Sequence, residues 1–188
     1  LDAETLSEVF VTNPHAAFVI PEANRSFVVE RVGCHHTWPI GLSDGESVIH
    51  KNIVMHAVPA AHNEIDRDDQ GRCRNLGYVV QMNGISVYHS GDTMLYPGMA
   101  ELLRPFKIDV ALLPINGHRA ERRVAGNLFG DEAASLARQI GARLVIPCHF
   151  DMFAFNTETP ELFVETCRQL EQQFKVLRCG ERLQIARR

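Results

Sequence analysis

The chain has 188 residues, of which 45% are hydrophobic and 22% are charged, which is ordinary for one globular domain with a sizeable core. Its net charge of -4 argues against a broad surface for nucleic acid or acidic membranes, and no apolar run is long enough to span a bilayer. The cysteines are odd in number and scattered, which predicts reduced thiols in a cytoplasmic protein rather than a disulfide framework. We therefore expect residues 1–188 to form a single domain.

The first half of the chain is predicted to begin with mixed elements and to end in antiparallel sheet. Apolar residues at helical spacing predict a helix over 2–12, and a second helix is expected over 26–32, ended by Gly33. A compact apolar run at 16–20 indicates a buried strand. Asn83-Gly84 is a strong hairpin signal between two strands. The strands of this meander are expected at 47–50, 53–59, 75–82 and 85–89, with a polar loop at 63–72.

Strands and helices alternate in the second half, which indicates a layered α/β protein. The nearly continuous apolar run at 108–114 predicts a strand that is covered on both faces. A buried stripe predicts a helix over 131–141, with Gly141 as its stop, and 144–147 is another buried strand. The last helix is expected to begin at Thr159-Pro160. Closing strands are expected at 174–177 and 183–185.

Polar side chains follow three of these strands at the points where the strands end. His62 follows the strand at 53–59, Asp92 follows the strand at 85–89, and His149 follows the strand at 144–147. Two imidazoles and one carboxylate suit zinc, manganese or iron without a thiolate. The alternative is three unrelated polar residues near strand ends, with Asp92 capping a helix, and spacing alone does not exclude it. His56 is a rival to His62, but strand alternation favours a role in the core or on the sheet surface for it.

Several short motifs occur in the order typical of one family. They are Tyr88-His-Ser-Gly-Asp-Thr93, Asp109-Val-Ala-Leu-Leu-Pro-Ile-Asn-Gly117, Ile146-Pro-Cys-His-Phe-Asp-Met-Phe153, Asn156-Thr-Glu158, Gly126-Asn127 and Gly180-Glu181-Arg182. With them, nearly the whole chain resembles the metallo-β-lactamase superfamily, and more narrowly its L-ascorbate-6-phosphate lactonase branch. The resemblance implies an α/β fold of the αββα four-layer sandwich type.

The resemblance also implies a metal site with two divalent ions, zinc or manganese, in the intact enzyme. By this likeness Asp92 is the bridging ligand, His149 is the late histidine ligand, and His62 occupies the intermediate ligand position. Asp92 and His149 are thus the implied catalytic residues. The expected reaction is hydrolysis of a lactone or a sugar-lactone phosphate by metal-activated hydroxide.

One departure from the family pattern bears on this expectation. The family's first metal motif has the form His-x-His-x-Asp-His, and the sequence does not contain it. In the branch that the chain resembles, this motif stands just before a segment resembling Leu1–Leu6. We therefore expect the chain to be the C-terminal part of a longer enzyme, without the opening strands of the first sheet. Alone, it is expected to bind the metals partly or not at all.

Substrate contacts are expected from residues that follow the strand at 108–114. Asn116, His118 and Arg119 are the candidates to face the metals. Arg119, Arg122 and Arg123 suit a phosphate, since guanidinium groups match its geometry. The alternative, slightly favoured, is a solvated basic turn that offsets acids such as Glu121. Two further expectations concern histidines: His89 orients Asp92 or packs at its strand end, and the adjacent pair His35 and His36 lies on the surface or at a subunit contact.

Two other functions compete with a lactonase. A metallo-phosphodiesterase or nuclease of the same fold is disfavoured by the acidic balance, because nucleic-acid binding depends on basic surface. A catalytically silent domain that has lost the first metal motif belongs to a different class and would explain the missing motif. The expected partner is a small-molecule substrate rather than nucleic acid or a membrane, and self-association into a homo-oligomer is left open.

Overall fold

The computed structural model describes residues 1–152 and 155–186, which form two sheets and several helices. The third motif ends at Phe153, which lies outside the described residues. The helices are α1 (Ala3–Thr12), α2 (Arg25–Val32), α3 (Met99–Leu103), α4 (Gly130–Gln139) and α5 (Glu161–Gln169). The strands are β1 (Val19–Pro21), β2 (Ile40–Leu42), β3 (Ser47–His50), β4 (Ile53–Pro59), β5 (Leu76–Met82), β6 (Ile85–His89), β7 (Val110–Pro114) and β8 (Leu144–Cys148).

The larger sheet has six strands in the order β3-β4-β5-β6-β7-β8. Its first four strands are antiparallel, as the meander of the sequence predicts, and β6, β7 and β8 are parallel. Asn83 and Gly84 join β5 to β6 with φ values of 53° and 77°. Positive φ at both central residues defines the hairpin turn that Asn-Gly favours, so this prediction is confirmed.

One face of the six-stranded sheet is covered by α3, α4 and α5. Ala133, Leu136 and Ala137 of α4 pack with Phe163 of α5 and with Tyr88 of β6 in the main hydrophobic core. The apolar stripe of α4 is therefore buried against the sheet and α5, as the spacing of its residues predicts. Gly141 follows the helix with φ of 69°, a conformation that glycine adopts without strain.

The other face packs partly against a small N-terminal layer. β1 and β2 form a two-stranded parallel sheet, flanked by α2. A second hydrophobic cluster joins Leu42 of β2 to Ala57 of β4 and Leu76 of β5. This layer therefore contacts the end of β4 and the beginning of β5. No helix in the described ranges is both long and apolar enough to cross a membrane.

Several predicted elements differ from the structure. The run at 16–20 becomes a strand only from Val19, and 174–177 supplies one isolated bridge, between Phe174 and Val145. Residues 183–185 form no strand. These two closing-strand predictions are wrong, because apolar alternation without a paired neighbour does not make a strand. Two elements, β2 and α3, were not predicted, since both are too short to show a period.

Candidate metal centre

Three predicted strand-end residues converge at one edge of the six-stranded sheet. β4 and β6 are both antiparallel to β5, and β8 is parallel to β6 through β7, so all three strands end at the same edge. His62 Nε2 lies 3.8 Å from Asp92 Oδ2, and His149 Nε2 lies 3.6 Å from the same oxygen. The structure therefore brings His62, Asp92 and His149 together around one carboxylate oxygen.

The backbone that presents Asp92 and His149 turns sharply. Gly91 has φ of 63°, and a Cβ at this position would lie 3.2 Å from the Leu76 carbonyl oxygen. His149 has φ of 57°, which is uncommon for a residue with a side chain, although histidine tolerates it better than most. Such conformations persist only where the surroundings hold them, and they cluster at functional sites.

Hydrogen bonds join the loops that carry these side chains. Thr93 is fully buried, and its Oγ1 accepts a hydrogen bond of 2.9 Å from the Ala61 backbone N–H. The Met94 N–H donates to the Ala61 carbonyl at 2.7 Å. The Thr93 N–H donates at 2.8 Å to Oδ1 of Asn127, which is itself buried. Three loops, those after β4, β6 and β7, are thereby fixed to one another.

A second cross-link depends on Asn63 and Gly126. The Gly126 N–H donates at 2.7 Å to Asn63 Oδ1, and Asn63 has φ of 94°. A Cβ at Gly126 would lie 2.6 Å from both His118 Cβ and Met94 Sδ. Only glycine therefore fits here without moving the neighbouring side chains, which places the loop after β7 tightly against the loop after β6.

The donor set fits a divalent cation in chemistry, but as placed it does not form a complete metal site. Zinc ligands lie about 2.0–2.2 Å from the ion, so two ligands of one tetrahedral ion are about 3.4 Å apart, close to the separations observed. His149 Nδ1 is buried without a hydrogen-bond partner among the described residues, while its Nε2 faces Asp92. In residues 1–152 and 155–186, however, no group of three or more His, Cys, Asp or Glu side chains could hold a metal ion by itself. The trio is thus a convergent but incomplete ligand set.

Two neighbouring groups are held in uncharged forms. Burial, with a smaller effect from Asp92, raises the pKa of the Cys148 thiol to about 12, so this thiol stays protonated near neutral pH. Desolvation of the ring lowers the pKa of His89, and Asp92 acts in the opposite direction. The Gly91 N–H donates to His89 Nδ1 at 3.0 Å, which requires that nitrogen to be unprotonated. His89 thus fixes the backbone beside Asp92.

Asn116 and His118, predicted to contact substrate, lie after β7 at the same sheet edge. Asn116 is fully buried, and its Nδ2 makes a long hydrogen bond of 3.4 Å to Asn156 Oδ1. Its own Oδ1 is buried without a partner among the described residues. His118 Nδ1 lies 2.9 Å from the Asn127 carbonyl, and its ring packs on Phe129 at 4.5 Å between centroids. Contact of either residue with a substrate stays a prediction.

Two of the three predicted phosphate arginines form ion pairs within the protein. Arg119 and Arg122 both form ion pairs with Glu158, and the Arg122 side chain is only 11% exposed. Arg123 is exposed, with φ of 54°. Glu158, rather than the expected Glu121, is therefore the acid that contacts this turn. The turn is an ion-pair cluster that joins two loops, not a freely solvated basic segment.

The other histidines lie as the sequence suggests. His56 lies in β4, where its ring packs against Phe106 at 5.0 Å between centroids and its Nε2 is 3.3 Å from Gln81 Oε1. His56 is half-buried within β4, which agrees with the expected role in the core or on the sheet surface. His35 lies in an exposed loop beside Thr37. A role of this loop in subunit contact stays a prediction.

Sequence reasoning missed the residues that hold the loops together. Thr93, Asn127, Asn63 and Glu158 supply the cross-links described above. Thr93, Asn127 and Glu158 belong to motifs that the chain shares with its family. Those motifs could have identified them as structurally important from the sequence. Nothing in the sequence marks Asn63.

The fold and the site define a class of protein. It is an α/β protein in which two histidines and an aspartate lie together at the edge of the sheet where β4, β6 and β8 end. Residues 2–150 match the family described as Beta-lactamase superfamily domain, and the chain belongs to that family.

Similar solved structures confirm the fold. Igni18, a metallo hydrolase from the hyperthermophilic archaeon Ignicoccus hospitalis, superposes with a TM-score of 0.71 at 22% identity, over 94% of this chain and 71% of that chain. The metallo-beta-lactamase fold protein YhfI from Bacillus subtilis gives a TM-score of 0.63 at 12% identity, over 85% and 61% of the two chains. The predicted α/β metallo-β-lactamase-type fold is therefore correct.

Curated relatives carry the name UPF0173 metal-dependent hydrolase. The relative from Methanosphaerula palustris is 32% identical over 152 residues, covering 77% of this chain and 66% of its own length. The relative from Methanoculleus marisnigri is 36% identical over 110 residues, covering 58% of this chain and 46% of its own length. The relative from Myxococcus xanthus is 29% identical over 156 residues, covering 80% and 53%. The chain thus spans about half to two thirds of the length of these relatives.

Proposed function

We propose that the chain provides part of the active site of a metal-dependent hydrolase, with His62, Asp92 and His149 as metal ligands. The observation that carries the proposal is the approach of both imidazole Nε2 atoms to one Asp92 oxygen, within 3.8 Å. The name metal-dependent hydrolase, borne by relatives from separate organisms, supports it. Because no group of three or more His, Cys, Asp or Glu side chains in the described residues could hold a metal ion by itself, the proposal requires further ligands besides these three.

Bound cations would supply an acidified water as nucleophile and a Lewis acid for the developing negative charge. The remaining work falls to the chain's own residues. Asp92 has two carboxylate oxygens, each able to accept a hydrogen bond or hold a cation. His118, with Nδ1 fixed on the Asn127 carbonyl, presents a ring of defined orientation, and Asn116 is buried with a side-chain oxygen that has no partner among the described residues. Arg119 remains the most exposed of the three proposed substrate contacts, with 49% of its side chain exposed.

Within the hydrolases, we propose a lactone or sugar-lactone phosphate as the substrate, and zinc or manganese as the metal. The likeness of the motifs to the L-ascorbate-6-phosphate lactonase branch supports this choice. The net charge of -4 disfavours the nuclease alternative, because a nucleic-acid substrate needs basic surface. We also propose that the protein acts in the cytoplasm on a small molecule. A catalytically silent domain remains the competing function.

The test is a hydrolysis screen of the intact gene product over lactones and phosphodiesters, with zinc or manganese, together with metal analysis by mass spectrometry. We expect lactone turnover, and we expect Asp92→Ala to abolish it and to lower the bound metal. Asp69→Ala is the matched control, since it removes an exposed aspartate that is not one of the proposed ligands. Undiminished turnover and metal content in Asp92→Ala would disprove the ligand assignment. A wild-type protein that binds no metal and hydrolyses nothing would favour the silent domain.

A further inference from the structure

A cavity of about 410 Å³ opens beside the candidate metal ligands. His62 and Asp92 lie in its wall, and the N-terminal layer closes its opposite side with residues of β1 and α2. Its polar lining includes further hydrogen-bonding side chains that the proposed reaction does not yet use. They are Asn24, Arg74, Asn75 and Tyr78.

The sheet topology explains why these residues lie beside the ligands. β5 lies between β4 and β6 and runs in the opposite direction, so its first residues lie at the edge where β4 and β6 end. Arg74 comes just before β5, and Tyr78 is paired across strands with Ala57 of β4 and His89 of β6. Both residues therefore belong to the same edge as His62 and Asp92.

Arg74 is the only Lys or Arg side chain among the described residues that line this cavity. Its backbone is held on both sides, because its N–H donates to the Asp66 carbonyl at 2.9 Å and its carbonyl accepts from Asn24 Nδ2 at 2.7 Å. Its guanidinium pairs with the Asp66 carboxylate only at 3.6 Å, and both side chains are more than 40% exposed. An exposed pair of this kind is weak, so the guanidinium can bind an anion.

Tyr78 contributes an unused hydrogen-bond donor. Its hydroxyl oxygen is buried and has no hydrogen-bond partner among the described residues. Burial raises the pKa of Tyr78 to about 12, so the phenol keeps its proton near neutral pH. A buried polar group without a partner costs stability, and such a group in a cavity wall points to a ligand that satisfies it.

The arginines of the turn after β7 are less suited to binding an anion than Arg74 is. Arg119 and Arg122 share Glu158, and Arg122 is largely buried in that cluster. An anion there would have to displace an existing carboxylate. Arg74 has no comparably close partner carboxylate, and it lines the same cavity as His62 and Asp92.

Building on the proposed hydrolase function, we infer that Arg74 and Tyr78 form an oxyanion-binding end of the active-site cavity. The substrate then carries a phosphate or carboxylate group beside its hydrolysable bond. The guanidinium of Arg74 binds this group through paired N–H donors, and the Tyr78 hydroxyl donates a further hydrogen bond. The anion thereby orients the hydrolysable bond toward His62 and Asp92.

The binding test measures inorganic phosphate and acetate by calorimetry with the protein in EDTA, so that bound metal does not contribute. We expect saturable binding of at least one anion, weakened at least about tenfold by Arg74→Gln and about threefold to tenfold by Tyr78→Phe. Arg104→Gln is the matched control for charge, because Arg104 also forms an exposed ion pair at 3.6 Å but lies outside this cavity. Tyr88→Phe is the control for loss of a buried, unpartnered hydroxyl.

Absence of saturable binding to the wild type, or equal losses in Arg74→Gln and Arg104→Gln, would overturn the inference. A turnover assay of the intact, metal-loaded enzyme separates this failure from failure of the hydrolase proposal. Arg74→Gln should raise KM for an anionic lactone by a larger factor than it raises KM for the neutral analogue of that lactone. If Asp92→Ala abolishes turnover but Arg74→Gln changes no kinetic constant, the hydrolase proposal stands and the oxyanion site is disproved. If nothing is hydrolysed and anion binding still depends on Arg74, the anion site at Arg74 stands and the hydrolase proposal fails.

Discussion

Replacing Thr93 by valine tests whether the loops at the candidate site are held by the hydrogen bonds described. Valine has nearly the same shape, so the change opens no cavity in this fully buried position. It removes the acceptor of the Ala61 N–H and the hydroxyl that donates to the Met94 carbonyl. A buried donor left unpaired costs about 1–3 kcal/mol, and we expect the free energy of unfolding to fall by that amount.

The same change should weaken metal binding at the proposed site. Ala61 directly precedes His62, and Thr93 directly follows Asp92, so their hydrogen bond joins the backbones on which two proposed ligands stand. Loss of groups that orient metal ligands typically costs about 10–100-fold in affinity. We expect a loss near the lower end of this range, because the Met94–Ala61 backbone bond remains in the variant.

Urea unfolding of the metal-free protein measures the stability change, and competition between the intact gene product and a chelating dye measures the affinity for zinc. Thr166→Val is the matched control: its hydroxyl donates to the Leu162 carbonyl on the exposed side of α5, where loss of the bond should change stability by less than about 0.5 kcal/mol. If Thr93→Val and Thr166→Val were equally stable and bound zinc equally, the hydrogen bond would not position the ligands and the reasoning would fail.

Three further predictions follow from single residues. Gly126→Ala should lower the free energy of unfolding by about 1–3 kcal/mol in a urea titration, because its Cβ would lie 2.6 Å from His118 Cβ; an unchanged midpoint would contradict this packing. The Cys148 thiol should resist iodoacetamide at pH 8 while the exposed Cys179 reacts, as peptide mass spectrometry would show, because burial raises the pKa of Cys148 to about 12. The pKa of His89 is lowered in the folded, metal-free protein, so the unfolded state binds more protons and stability should fall as the pH drops below about 6.5, less so in His89→Gln.

The sequence predicted those parts of the fold that local rules determine. Asn83-Gly84 specified its hairpin because few residues adopt two successive positive φ angles. The helix α4 followed from one apolar stripe and a glycine stop, and it is found within two residues of the predicted ends. The buried strands β7 and β8 followed from short, nearly continuous apolar runs.

The parts that were missed depend on partners distant in the chain. Glu158 lies 36 and 39 residues from the two arginines that it pairs with, and no local pattern reveals such a contact. The run at 183–185 alternates like a strand, yet strands exist only where a neighbour accepts their hydrogen bonds. Likewise, the Asp66 carboxylate near Arg74 lies in a loop whose path the sequence does not define.

The direction of the strands links the proposed ligands to the proposed oxyanion site. A sheet in which every strand ran the same way would place only strand ends at this edge. Here β5 is reversed between β4 and β6, so the edge carries His62 and Asp92 from two strand ends and Arg74 from a strand beginning. A cation site needs anionic and imidazole donors, while an oxyanion needs a guanidinium. The antiparallel step at β5 allows both sets to lie in one cavity without either being the ion-pair partner of the other.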